Sequence, residues 1–181
     1  MSRSRPVLLL LMALVLTGCA YSVQGSPAPG ALPSSSSEGP KIPTTFTVAS
    51  ADPCTFLTQD DLKPLGPYKR EPRRQDDRIQ QSCQFVLNDG SDAGITVVTA
   101  AYLPYQDAKA KQRLGREVFV EKHSTWLTCT QQGPDMVCTA VVAVHPERSL
   151  LVALALHGAT EDKVAATLTP LASAALKRLP A

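Results

Sequence analysis

Four cysteines restrict what this chain can fold into more than any other feature, because a short apolar leader sends them into an oxidising compartment. Arg3 and Arg5 precede an uncharged apolar run, Val7 to Leu16, ten residues long. A bilayer-spanning helix needs about 20 apolar residues, so this run reads as the hydrophobic region of a secretory signal peptide. Of the five cysteines, Cys19 stands just after the leader, and Cys54, Cys83, Cys129 and Cys138 follow downstream. Outside the cytosol that even set is expected to pair, in one of three ways. Two strand-like segments, 124–131 and 136–145, flank Gln132-Gly133-Pro134-Asp135. If Gln131 and Met136 close that loop, Cys129 lies directly opposite Cys138, close enough for a bridge. Cys54 is then left to pair with Cys83. In a chain-entropy picture, loops of roughly 30 and 10 residues make such bridges worth about 3.6 and 2.7 kcal/mol. No Cys-x-x-Cys spacing occurs and no His sits at zinc-finger distance from a cysteine pair, so neither a metal nor a cofactor is expected.

Leu16-Thr17-Gly18-Cys19 resembles the lipobox of bacterial lipoproteins. The resemblance implies that residues 1–18 are a lipoprotein signal peptide and that Cys19 becomes the lipidated N-terminus of the mature chain. It implies a cell-membrane location facing the extracytoplasmic side, with the membrane as a partner through the lipid on Cys19. Two acyl chains give stable anchoring where one is marginal. Loss of Arg3 and Arg5 with the leader lowers the basic count from 18 to 16, equal to the 16 acids. A mature chain of zero formal charge is not a nucleic-acid binder of the basic kind.

Residues 20–49 are rich in Ser, Pro, Gly, Thr and Ala, with Pro27, Pro29, Pro33, Pro40 and Pro43 recurring and Ser34 to Ser37 in a row. Such a segment buries too little apolar surface to order itself, so 19–49 is expected to be a lipidated, disordered spacer. A globular domain is expected over 50–181. Thr58 caps a short helix over 58–65 that ends at Gly66. Residues 81–88 and 94–102 form a hairpin, 104–114 a helix, 116–122 a strand, and 124–131 with 136–145 a second hairpin. Leu150 to Leu156 is an unbroken apolar run, the pattern of a strand buried on both faces. Thr160 caps a last helix whose stripe is Val164, Leu168, Leu171, Ala175 and Leu179, with a kink expected at Pro170. The fold class is therefore α+β: an antiparallel sheet of five or six strands with helices on one face, the C-terminal helix being the main cover.

Asp52-Pro53-Cys54, Leu57-Thr58, Asp61-Leu62, Leu65-Gly66 and Cys83-Gln84-Phe85 resemble an actinobacterial family of secreted lipoproteins with a domain of unknown function. Phe85 stands where that family often has Trp. The resemblance covers 52–85 and implies the Cys54–Cys83 bridge and an envelope location, but no activity.

The chemistry-bearing residues are sparse. His123, His145 and His157 read as strand-end histidines, and the acidic pairs Asp60-Asp61, Asp76-Asp77 and Glu161-Asp162 are adjacent rather than convergent. No catalytic residue set is identified. Lys69, Arg70, Arg73, Arg74 and Arg78 crowd a stretch without apolar periodicity, read as an exposed loop and as a candidate interaction surface for an anionic partner. Trp126, on the opposite face from Cys129, is expected to be core. The leading expectation is a non-catalytic envelope lipoprotein that binds an envelope ligand or protein as a sensor or accessory module. The alternative is a wall-modifying hydrolase with dispersed catalytic groups, which a cavity lined by converging His or carboxylates would favour. Cys19→Ala is expected to move the protein from the membrane to the soluble fraction on cell fractionation; unchanged sedimentation with membranes would contradict lipidation.

Overall fold

The computed structural model describes residues 39–76, 78–90 and 94–181. Its frame is one antiparallel sheet of seven strands: β1 Tyr68–Gln75, β2 Ser82–Leu87, β3 Ile95–Tyr102, β4 Arg116–Val120, β5 His123–Gln132, β6 Asp135–His145 and β7 Arg148–His157, in the order β1-β2-β3-β7-β6-β5-β4. The sheet has one strand more than expected. The additional strand is β1, which holds Lys69, Arg70, Arg73 and Arg74 and corrects the reading of this stretch as a loop. It lies on the sheet edge, where only Tyr68 packs against the main core and most of its other side chains meet solvent, so no apolar alternation marks it. Pro72 and two register shifts interrupt its ladder with β2, devices that blunt an edge strand against further pairing.

The apolar run 150–156 occupies the sheet centre. β7 pairs with β3 on one side and β6 on the other, and Val152 stands between Thr99 and Ala140. Leu150, Val152, Leu154 and Leu156 face the main core, and Leu151 faces the other side. Burying a side chain of this kind contributes about 1.5–3 kcal/mol, so both faces of this strand have to be covered.

The main cover is helix α3, Glu161–Lys177. Thr160 Oγ1 accepts from Lys163 N–H, and Val164, Leu168, Leu171, Ala175 and Leu179 are all buried, as the stripe predicts. The helix runs on through Pro170, which faces solvent. On the same side, a four-residue helix α1, Gln59–Leu62, passes into a 3-10 turn over Lys63–Leu65, where Pro64 cannot continue the α-helical ladder. Asp61 clamps this segment: its carboxylate accepts from the Thr58 N–H and hydroxyl, each at 2.7 Å, and pairs with Arg178 at 3.0 Å.

Helix α2, Tyr105–Lys111, covers the opposite face, so the helices do not share one side as expected. Its second, smaller core contains Ala100, Tyr105, Ala108, Trp126, Val141, Ala143 and Leu151. Seven residues of α2 cover only one end of that face. Short segments placed this way leave no long apolar stripe in the sequence to reveal which side they take.

Two disulfides fix the ends of this arrangement. Cys129 pairs with Cys138 across β5 and β6, with Gln131 opposite Met136 and Cα atoms of the bridged pair 4.1 Å apart. The register is the expected one, with Gly133-Pro134 as the turn. Cys54–Cys83 ties a 3-10 turn over Pro53–Thr55 to β2; there Thr99 Oγ1 donates to the Pro53 carbonyl at 2.6 Å. Residues 41–48, which composition assigns to the spacer, run across the end of the sheet. Ser124 N–H donates to the Lys41 carbonyl, Phe46 N–H to the Val144 carbonyl, and Val48 is buried. Cys19 lies outside the described residues.

Replacing Cys129 and Cys138 together by Ser is expected to lower unfolding stability by about 2.7 kcal/mol in a urea titration; an unchanged midpoint would contradict a structural role. Burial pushes the Asp61 carboxyl up, but the Thr58 hydrogen bonds and Arg178 outweigh it and hold the group below its ordinary value. A carboxyl lowered in the folded state adds stability above its unfolded pKa, and that stability is lost as pH falls through the folded pKa. Asp61→Asn should therefore cost about 1 kcal/mol at neutral pH and flatten the acid-side loss of stability below about pH 4.

Candidate functional site

The turn from β1 to β2 does more than close a hairpin. Gln81, its last residue, sits at φ 53°, a left-handed conformation that side-chain-bearing residues seldom adopt. It is held there from three directions: its N–H donates to Asp76 Oδ1 at 2.8 Å, its carbonyl accepts from Ala101 N–H at 3.2 Å, and its side chain donates to the Ala49 carbonyl at 3.3 Å. A strained backbone kept in place by several contacts is a common mark of a working surface.

Gln81 lines an open cavity of about 360 Å³. Arg78 comes to it from the β1–β2 turn, Lys111 from the last turn of α2 and Arg148 from the first residue of β7. Ile79, Tyr102 and Leu103 add apolar and aromatic wall, and Ser149 Oγ fixes the rim by donating to the Leu103 carbonyl at 2.6 Å. None of the three cations forms an ion pair with a described residue, and among the described residues no carboxylate or histidine lines the cavity. Three like charges lining one cavity favour an anion that binds between them.

Of the basic residues that the sequence singles out, the structure brings only Arg78 into this cavity. Lys69, Arg70, Arg73 and Arg74 are spread along exposed β1, where Arg70 donates to Gln84 Oε1 at 2.7 Å. Lys111, Arg148 and Tyr102 escape sequence reasoning because each is an isolated residue at the end of a different element. Only the chain crossing of β7 beside β3 makes them neighbours.

The histidines stay apart. His123 is buried, with Nδ1 2.7 Å from the Ala143 carbonyl; His145 Nδ1 accepts from Glu147 N–H; His157 lies 3.0 Å from Asp135. Among the described residues no group of three His, Cys, Asp or Glu is placed to hold a metal ion. Trp126 packs in the second core as expected. Its Nε1 donates to the Gln112 carbonyl at 2.7 Å, Lys109 lies 4.8 Å above its ring, and Gly115 is needed beside it because an added Cβ would collide with the indole Nε1.

Tyr105 anchors the start of α2 and has a buried hydroxyl without a hydrogen-bond partner among the described residues. Burial, with Glu117 adding to it, pushes the phenol up to about 12. Tyr105→Phe removes that unsatisfied group at constant shape, so it is expected to raise stability by up to about 1 kcal/mol in thermal melts. A marked loss would mean that the hydroxyl has a partner.

A family model described as a protein of unknown function, DUF3558, matches residues 14–170. No curated protein matches. A solved structure from Bacteroides thetaiotaomicron VPI-5482 is similar at 9% identity and a TM-score of 0.37, over 56% of this chain and 41% of that one. This chain thus spans about two fifths of that neighbour's length. No helix among the described residues is long and apolar enough to cross a membrane.

Proposed function

This chain belongs to the DUF3558 family of unknown function, and from that premise we propose that it is a lipid-anchored envelope lipoprotein of the actinobacterial type, whose domain binds an anionic ligand without transforming it. The anchor reading rests on the order of leader, Leu16-Thr17-Gly18 and Cys19. The binding reading rests on one observation: Arg78, Lys111 and Arg148, from three separate elements, line one cavity, and none of them is ion-paired with a described residue. Two guanidiniums offer fork-shaped donor pairs that match a carboxylate or phosphate, and Lys111 adds a movable point charge. Tyr102, Ile79 and Leu103 supply the surface against which the ligand's uncharged part would rest. Among the described residues the lining holds neither a carboxylate nor an imidazole, the groups that most often carry acid–base catalysis. A sensor or accessory module that captures an anionic envelope component fits this chemistry.

Inorganic pyrophosphate is a suitable probe for the mature chain. Titration is expected to shift the NMR amide signals of residues 78–81, 102–103, 111 and 148, and Arg78→Ala with Arg148→Ala should weaken binding at least about tenfold, or 1.4 kcal/mol. Absence of shifts, or equal affinity of the variant, would overturn the proposal.

A further inference from the structure

Two large apolar side chains stand out as exposed among the described residues. Leu114 is 89% exposed, just before β4, and Phe119 is 56% exposed within it. Phe119 lies directly across from Ser124, on the same face of the sheet as Trp126 and α2. Phe119 thus lies on this edge strand and Leu114 in the short connection from α2 into it. Cations accompany them: Lys41 Nζ is 5.5 Å above the Phe119 ring, Arg113 adjoins Leu114, and α2 carries Lys109 and Lys111. The acids nearby are Asp107 on α2 and Glu117 on β4, and Glu117 is already engaged by the Ser124 hydroxyl at 2.8 Å and by Lys109 at 4.0 Å.

The described chain begins at this place. Lys41 exchanges hydrogen bonds with Ser124, its N–H donating to Ser124 Oγ and its carbonyl accepting from Ser124 N–H, each at 2.9 Å. Residues 20–38 separate Cys19 from Gly39, and covalent geometry limits nineteen residues to a span of about 70 Å. The surface next to Phe119 is thus where the chain leading from Cys19 joins the domain.

We propose that this corner, Leu114 and Phe119 with Lys41, Arg113 and α2, is a docking face for a bilayer surface that carries anionic phospholipid. The chemistry is that of an interfacial contact: apolar side chains dip below the headgroups while cations meet the phosphates. The occupant follows from where the chain joins the domain, which rests on the lipidated-anchor reading, and from the pairing of exposed apolar groups with cations. The anion cavity is a separate site, reached by Lys111 alone of these residues.

The test uses the mature chain with Cys19→Ala, so that no acyl group contributes, and sedimentation with phosphatidylcholine vesicles that do or do not contain one third phosphatidylglycerol. The unlipidated chain should bind the anionic vesicles, high salt should weaken that binding, and Leu114→Ser with Phe119→Ser should weaken it at least about tenfold with the melting temperature unchanged. Lys41→Ala with Arg113→Ala should erase the preference for anionic vesicles. No binding by the parent chain, or equal binding by the Ser variant, overturns the docking face. The anchor is tested apart from it by the mass of the native N-terminal peptide: an unmodified Cys19 would remove the lipid and leave the vesicle result to stand on the side chains.

Discussion

The fold depends on a central strand that is apolar on both faces. β7 cannot sit at an edge or under a single layer, because Leu150, Val152, Leu154 and Leu156 point one way and Leu151 the other. The sheet therefore places three strands on either side of it. α3 supplies a long apolar stripe for the larger core, and α2 closes a smaller one on the opposite face. The same constraint makes the cavity. Arg148, the first residue of β7, emerges where β3 ends at Tyr102, so a residue from the last strand reaches the β1–β2 turn and the end of α2.

Covalent cross-links secure what the core leaves open. Cys129–Cys138 holds the β5–β6 hairpin beside α3, and Cys54–Cys83 pins the segment before α1 onto β2. Next to the latter, Asp61 joins α1 to the end of α3 through Arg178. The N-terminal strap, 41–48, is held by backbone hydrogen bonds at the end of the sheet and by Val48, Phe46 and Ile42 packed against the two cores.

Much of this was legible from local pattern. The Cys129–Cys138 pair followed from hairpin register, the Thr58 and Thr160 caps marked their helices, and an unbroken apolar run marked the central strand. β1 was not legible because an edge strand that buries little beyond Tyr68 has no reason to alternate, and its Lys and Arg residues read as a loop. The side taken by α2 was hidden because seven residues carry too short a stripe. The cavity was illegible for a different reason: Lys111 and Arg148 are separated by a strand order that no local pattern encodes, and of its three cations only Arg78 stood in a basic cluster.

The central claim is that these three cations form one anion site. A crystal structure of the mature chain grown with inorganic pyrophosphate tests it most directly. The account predicts density for the anion bridged by the Arg78 and Arg148 guanidiniums and the Lys111 ammonium, with Gln81 still left-handed beneath it. A clear, fully ordered cavity holding only water at saturating pyrophosphate would contradict it.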